Sequence, residues 1–472
     1  MNDSPRLATR DDLPAPGGRI HLVGIGGAGM RGLAKLMRHA GYEVDGCDRS
    51  PGDHGDLTSL GIAVAAGHGA SHVDGVDLLV RTSAVPDDAP EVQAALRSGV
   101  RVLRRARALG AALNGRPLAG IAGTHGKTTI TAMTGFACEA AGLDPTVMVG
   151  GHVGAWGGFA RTGTGPSVVE ADEYDRSFLE LDPTVALVSS LEAEHLDTYG
   201  DFDGVRAAFA EFAGRADGGT GLLFCADDAG ARSLGADYAG SRSYGFADDA
   251  DFRLAPHAPH GRWRIIWAGG ETDVTLRVPG RHNAQNAAGA FAVALALGAR
   301  PSAAARGLAG FSGVGRRLEV LGTWGSATLV DDYAHHPTEV AASIEALHAA
   351  YPDAAIEVVF QPHLFTRTRD FAAEFGTALE SADRVSVLPI YPAREEPIEG
   401  VSSDLIVASP GFSGALVDGS EALALADAAV AGANRRVIAF MGAGDVTAIA
   451  HEAAARAARS SPGGAARGGA LS

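Results

Sequence analysis

The first regular pattern in the chain is a short apolar run, Arg19-Ile20-His21-Leu22-Val23, which stops at Gly24. A run this short, closed by glycine, predicts a buried strand. Residues 30–40 read as a helix, and residues 42–44 begin a second strand that ends near Asp48, which makes a βαβ unit. The alternation continues with a strand over 77–81, a helix over 90–98, a strand over 100–103 and a hinge at 112–115. A second series has strands over 117–122, 166–173 and 184–190 and a helix over 128–141. Residues 280–286 then open an alanine-rich helix that runs to Leu297. A third series has a strand over 327–331, a helix over 338–350 and strands over 356–360, 385–389 and 437–440. Strands alternating with helices predict an α/β chain. Three domains are expected: a Rossmann-like domain over 1–113, a central phosphate-loop domain with a parallel-rich sheet over 114–310, and a second Rossmann-like α/β domain over 311–460. Residues 461–472, rich in Gly, Ala and Ser, are expected to form a disordered tail.

Composition narrows the class. With 46% hydrophobic and 20% charged residues the chain reads as globular. A net charge of −17 argues against nucleic acid as partner, because phosphate backbones require basic surfaces. Cys47, Cys138 and Cys225 lie far apart with no CxxC, so neither a disulfide framework nor a zinc site is expected. The acidic, proline-bearing start has no apolar run of signal-peptide length, and nothing approaches the ~20 apolar residues needed to span a bilayer. A cytoplasmic location without membrane insertion follows as the expectation.

The strongest chemical signal lies between the strand 117–122 and the helix 128–141: Gly123-Thr124-His125-Gly126-Lys127-Thr128-Thr129. Glycines let backbone N–H groups converge on phosphate oxygens, and the helix start adds its positive dipole end. Lys127 is placed to reach the β- and γ-phosphates of a nucleoside triphosphate, and the Thr128 hydroxyl to hold Mg²⁺. The chain contains two lysines, Lys35 and Lys127, and otherwise takes arginine as its cation. A lysine kept at this position suggests that a compact ammonium matters there.

Other strand ends add candidates. Gly24-Ile25-Gly26-Gly27-Ala28-Gly29 with Asp48 about twenty residues on is a dinucleotide-type turn, a weak signal by itself. Glu170-Ala171-Asp172-Glu173 and Glu192-Ala193-Glu194-His195 place acids and a histidine just past strands, where α/β sheets bind ligands. For Asn283, Asn286 and His282 near the start of the alanine-rich helix, the plain reading is ordinary N-capping.

Taken in order, these motifs resemble the Mur ligases of peptidoglycan synthesis over nearly the whole chain. GTHGKTT at 123–129 and the His335-His336-Pro337 turn are shared across much of that family, while HLVGIGGAGM at 21–30, EADEYDRSFL at 170–179, DDYAHHPTEV at 331–340 and QPHLFTRTRD at 361–370 resemble the branch that adds L-alanine. The resemblance implies UDP-binding, ATPase and amino-acid-binding domains, and ATP-driven amide formation through an acyl phosphate. It implies UDP-N-acetylmuramate and L-alanine as substrates, ATP with two Mg²⁺ ions, and a monomer or weak homodimer. Lys127, Glu170, His195, His335 and Arg367 would be catalytic, with Thr128, Glu170 and His195 as metal ligands. Asn283 and Asn286 would read adenine, and Arg317 and Asp331 would approach ribose and phosphates. Gly26, Gly27, Ala28, Gly29, Asp48, His68, Ser83 and Arg104 would contact the UDP moiety. Arg176 and Ser177 would face the muramate, and Tyr333, His335 and His336 the alanine. Two positions depart from the family pattern: residue 194 is Glu where Asp is usual, and residue 107 is Arg where Glu is usual. Several relatives carbamylate a lysine to help hold a second Mg²⁺, and with Lys127 committed to phosphate no lysine is left here for that role. A recycling ligase that attaches a preformed peptide, a nicotinamide oxidoreductase and a nucleotide switch are the competing readings.

Overall fold

The computed structural model describes residues 6–49, 54–257, 261–393 and 395–460, so the tail 461–472 lies outside the described residues. Three sheets order the chain. The first is all parallel, β3-β2-β1-β4-β5, built from β1 (Arg19–Val23), β2 (Glu43–Asp48), β3 (Ala63–Ala66), β4 (Leu78–Arg81) and β5 (Arg101–Arg104).

The second sheet has ten strands: β6 (Leu118–Ala122), β7 (Thr146–Val153), β8 (Gly158–Arg161), β9 (Ser167–Glu170), β10 (Val185–Val188), β11 (Leu222–Cys225), β12 (Arg242–Gly245), β13 (Phe252–His257), β14 (Arg262–Trp267) and β15 (Gly270–Thr275). Their order is β15-β14-β13-β12-β11-β10-β6-β9-β7-β8, parallel through the centre and antiparallel at the β13–β14–β15 and β7–β8 edges. The third sheet, β16-β17-β21-β18-β19-β20, comprises β16 (Glu319–Trp324), β17 (Ala327–Asp332), β18 (Ala355–Phe360), β19 (Arg384–Val387), β20 (Ala415–Leu416) and β21 (Arg436–Met441), with only β16–β17 antiparallel.

The chain forms two compact units. One holds residues up to 275 together with 285–311, and so the first two sheets; the other holds 276–284 and the chain from 312 onward. Within the first unit, all five residues of β6 are buried, and the helix Lys127–Ala140 that follows buries most of its length. The helix Pro301–Gly310 packs on it so closely that a Cβ at Gly307 would stand 2.3 Å from the Phe136 carbonyl oxygen. Small residues there let two backbones touch. In the second unit, β21 alternates between two cores. Val437, Ala439 and Met441 join Phe360, Phe375 and Leu379 on one face, and Ile438 and Phe440 join Ala450 and Ala453 on the other. That period of two, with apolar residues on both faces, marks a parallel strand covered by helices on each side.

The expected elements recur with small shifts: the first helix spans Ala28–His39 rather than starting at Met30, because Gly27 caps it. The acids Asp172 and Glu173 lie beyond β9, which ends at Glu170. The edges of the second sheet were not anticipated. There β13 to β15 mix buried, half-buried and exposed residues, a quieter signal than a continuous apolar run. No helix among the described residues is long and apolar enough to cross a membrane.

Candidate active site

The phosphate-type loop joins β6 to the helix Lys127–Ala140. Gly126 caps that helix in the left-handed region at φ 81°, and a Cβ on it would stand 2.7 Å from Asn286 Oδ1. Gly123, at φ 132°, has no room either: a Cβ would meet Ser189 Oγ at 2.2 Å and Ser190 N at 2.8 Å. Both positions require glycine on two independent grounds. The loop is held from the end of β10. Thr124 N donates to the Ser190 carbonyl at 3.1 Å, His125 N to Ser190 Oγ at 2.9 Å, and Glu192 N to Thr124 Oγ1 at 3.0 Å. These two serines were read only as the end of a strand, and nothing in the sequence marks them as the loop's support.

Lys127 Nζ donates to Gly123 O at 2.6 Å and to Glu173 Oε1 at 2.8 Å. Burial opposes the charge on Lys127, but Glu173, Asp172 and Glu170 outweigh it and hold the ammonium above its ordinary range. Burial raises the Glu173 carboxyl, against the pull of Lys127. Thr128 Oγ1 donates to Glu170 Oε1 at 2.9 Å, and Gly150 N to Glu170 Oε2 at 2.6 Å. Thr129, in the first turn of the helix Lys127–Ala140, is buried. A second acidic group adjoins: ligand atoms of Glu173, Glu194 and His195 all lie within 4.8 Å of one another. Glu173 Oε2 is buried without a hydrogen-bond partner, and His195 sits at φ 55° with its ring edge-on to Tyr174. A buried carboxylate oxygen with no donor, facing another acid and an imidazole, fits a cation. Arg176, at φ 62°, reaches Glu211 at 3.5 Å and lies over the Tyr199 ring, while Ser177 bonds to Asp175.

At the first sheet, Gly26 N donates to Asp48 Oδ2 at 2.8 Å. Gly27 caps the helix that begins at Ala28. A Cβ on Gly29 would stand 3.0 Å from Arg105 Nη1, so Arg105 covers the turn, and Arg104 is exposed one residue before it. Ser83 is exposed just past β4, and His68 Nδ1 lies 3.1 Å from Glu91 Oε1.

In the second unit, β17, β18 and β21 run parallel and their C-terminal ends share one edge. Asp331 is fully buried, accepts from Thr447 and has Arg316 Nε at 3.9 Å; burial raises its carboxyl. Arg316 and Arg317 both lie over the Tyr333 ring, at 4.7 and 5.0 Å, and Arg317 reaches Glu339 at 3.7 Å. His335 Nδ1 donates to Tyr333 O at 2.8 Å, and its ring meets His363, which stacks on Tyr391. His336 caps the helix Pro337–Ala350 and packs on Phe371. Arg367 is half-buried in the first turn of the helix Phe365–Leu379. Asn283 donates to Pro279 O at 2.6 Å, the local role of a residue near a helix start, and belongs to a different unit from Asn286.

Three family profiles cover this framework in order: "Mur ligase family, catalytic domain" over 19–116, "Mur ligase middle domain" over 121–294, and "Mur ligase, glutamate ligase domain" over 316–450. The chain belongs to the Mur ligase family. It is 45% identical to the UDP-N-acetylmuramate–L-alanine ligase of Paenarthrobacter aurescens, over 91% of this chain and 95% of that one. It is 42% identical to the ligase of the same name from Mycobacterium marinum, over 96% and 99%. The crystal structure of UDP-N-acetylmuramate–alanine ligase from Thermotoga maritima superposes with a TM-score of 0.79 at 27% identity, covering 94% of this chain and 99% of that one.

Within this Mur ligase the two departures from the family pattern have structural answers. Glu194 joins the cation-fitting group with Glu173 and His195. Arg107 ties Asp12 at 3.1 Å and Glu180 at 3.3 Å, and also donates to Arg6 O, so it is a clamp between chain segments. Lys35 donates to Trp156 O and Ala160 O at 3.1 and 2.8 Å, which commits the second lysine to the β7–β8 hairpin.

Proposed function

We propose that the chain joins L-alanine to the carboxylate of UDP-N-acetylmuramate in an ATP-driven reaction of cytoplasmic peptidoglycan-precursor synthesis. The observation that carries this reading is the phosphate loop, with Lys127 and Thr128 each facing a carboxylate, on a chain aligned over nine-tenths of its length with relatives of that name. In the reaction, a muramate carboxylate oxygen attacks the γ-phosphorus and ADP leaves, giving an acyl phosphate. The alanine nitrogen then attacks the acyl carbon, a proton is lost, and phosphate departs.

The protein's part is positioning and charge. Lys127 and the loop N–H groups hold the phosphates, so that two anions can meet without covalent help from a side chain. Thr128 and Glu170 would hold one Mg²⁺, and His195 with Glu173 and Glu194 a second; bound there, the ions would screen charge developing on the transferred phosphoryl group. With Lys127 and Lys35 both engaged, that second group works without a carbamylated lysine, and activity is expected to be indifferent to removal of CO₂ and bicarbonate. Asp48 and the Gly26–Gly29 turn suit the uridine ribose and diphosphate. Tyr333, His335, His336 and Arg367 suit the amino acid and the intermediate, and Arg317 and Asp331 the nucleotide.

Phosphate release from ATP, with UDP-N-acetylmuramate and each amino acid in turn, tests the proposal. Release should depend on the UDP-sugar and be fastest with L-alanine. Release driven by a preformed peptide but not by alanine would mean a recycling ligase, and vigorous release without UDP-sugar would mean a nucleotide switch.

A further inference from the structure

One group of side chains in the first sheet takes no part in the chemistry above. Cys47 on β2, His21 on β1, His72 on the short helix Ala70–Val73 and Glu91 on the helix Pro90–Ser98 converge beneath the strand ends. Donor atoms of His21, Cys47 and His72 all lie within 4.8 Å of one another, as do those of Cys47, His68 and Glu91. His21 Nε2 is 3.4 Å from Cys47 Sγ, Cys47 Sγ is 3.3 Å from Glu91 Oε1, and His72 Nδ1 is 3.4 Å from Glu91 Oε1. The His21–Cys47 separation is that of neighbouring donors on a tetrahedral zinc ion, where bonds of roughly 2.0–2.3 Å place them about 3.3–3.6 Å apart.

The hydrogen bonding leaves a gap that a cation would fill. Glu91 is fully buried, and its Oε1 accepts from Gly69 N at 2.8 Å and faces Cys47 and His68. Its Oε2 and the Nδ1 of His72 are buried with no hydrogen-bond partner. Its ionic partners among the described residues are the imidazoles of His68 and His72. A carboxylate this deep is costly unless a cation completes it. His21 is oriented as a metal-bound histidine usually is: Nδ1 pairs with Asp45 Oδ1 at 2.5 Å, Asp45 is fixed by Arg19 at 2.7 Å, and Nε2 is turned toward the sulfur.

We propose that Cys47, His21 and His72 bind one divalent transition-metal ion of the zinc class, with the buried Glu91 beside it as counter-charge and the exposed His68 at the mouth by which it enters. One thiolate with two imidazoles favours zinc or cobalt over magnesium. The three donors come from β1, β2 and the segment that follows β3, so the ion ties these together, and a water completes its four-coordination. Sequence spacing argued against zinc because it registers only linear motifs, whereas these three ligands come from three separate elements.

The full-length chain, stripped with a chelator, is titrated with Co²⁺ alone and followed by absorption. One equivalent should give a thiolate-to-cobalt charge-transfer band with strong four-coordinate d–d bands, and Zn²⁺ should displace it. Cys47→Ser should abolish the band, while substitution of Cys138 or Cys225 should leave it intact. His72→Gln should weaken Co²⁺ binding at least tenfold, and Asp45→Asn about tenfold through the orientation of His21. The Glu173–Glu194–His195 group has no sulfur and cannot produce the band. Absence of the band in the folded parent protein, its survival in Cys47→Ser, or unchanged affinity in His72→Gln would overturn the proposal. Should Cys47→Ser fail to fold by circular dichroism, His72→Gln and Asp45→Asn decide.

Discussion

Two turns in the first unit share a strand–glycine–helix pattern, at Gly24–Gly29 and at Gly123–Thr128, yet they are answered by opposite charges. At the first, a carboxylate closes the turn: Asp48 accepts the Gly26 N–H. At the second, an ammonium sits among acids: Lys127 is flanked by Glu173, with Thr128 bonded to Glu170. A turn already holding a carboxylate suits ribose hydroxyls, the role such an acid plays in dinucleotide folds. A cation ringed by acids suits phosphate brought with metal, because the acids can hold the metal while the ammonium takes the phosphate. Glycine spacing identifies both as nucleotide turns; only the residue that answers the turn says which part of a nucleotide belongs there.

The comparison is most exposed at Lys127. Lys127→Ala and Lys127→Arg should each lower kcat by about 10²–10³-fold, because a planar fork cannot replace a point charge under the loop. Near-parental turnover in the arginine variant, with unchanged circular dichroism, would remove the distinction between the two turns. Next in size is His195→Ala, which should raise the Mg²⁺ concentration for half-maximal rate about tenfold and leave binary ATP binding nearly unchanged. Unaltered Mg²⁺ dependence would make His195 a structural residue beside Tyr174.

Asp48→Asn should raise KM for UDP-N-acetylmuramate several-fold, by about 1 kcal/mol, and leave KM for ATP alone. An effect on ATP instead would reverse the assignment of the two turns.

The smallest effect on turnover concerns the second unit and is read in stability. Burial pushes the Asp332 carboxyl up to about 6, and burial with Arg317 nearby lowers His282 to about 4. Between about pH 4 and 6 the folded chain keeps the Asp332 proton that the unfolded chain loses, so this group makes stability fall as pH rises. His282 does the reverse: the unfolded chain takes up its proton below about 6.5 while the folded chain does not, so stability falls on acidification. The two slopes oppose each other. Asp332→Asn should leave a stability that rises with pH across this window, and His282→Gln one that falls, both measured by denaturant titration at a series of pH values. Equal slopes in the two variants would contradict the burial of one group.

Much of this was legible in the sequence for a physical reason. Parallel strands buried on both faces read as continuous apolar runs, and β6, β10, β17, β18 and β21 were found that way. Lys127 stood out through the rarity of lysine, and Glu170, Glu194 and His195 through their position past strand ends. Contacts that depend on folding were hidden. Ser189 and Ser190 brace the loop from a neighbouring strand, Arg107 clamps segments far apart in sequence, and Cys47 meets His21 and His72 only across the sheet. The β7–β8 hairpin was missed because Gly150-Gly151 interrupts its apolar run.

The central claim is that the muramate carboxylate receives the γ-phosphoryl group before the amine attacks. Turnover with UDP-N-acetylmuramate carrying ¹⁸O in that carboxylate, with ATP and L-alanine, tests it by mass spectrometry of the products. One labelled oxygen should pass to inorganic phosphate for each amide formed; phosphate released without label, with the oxygen lost from the carboxylate found in water or in the nucleotide product instead, would contradict it.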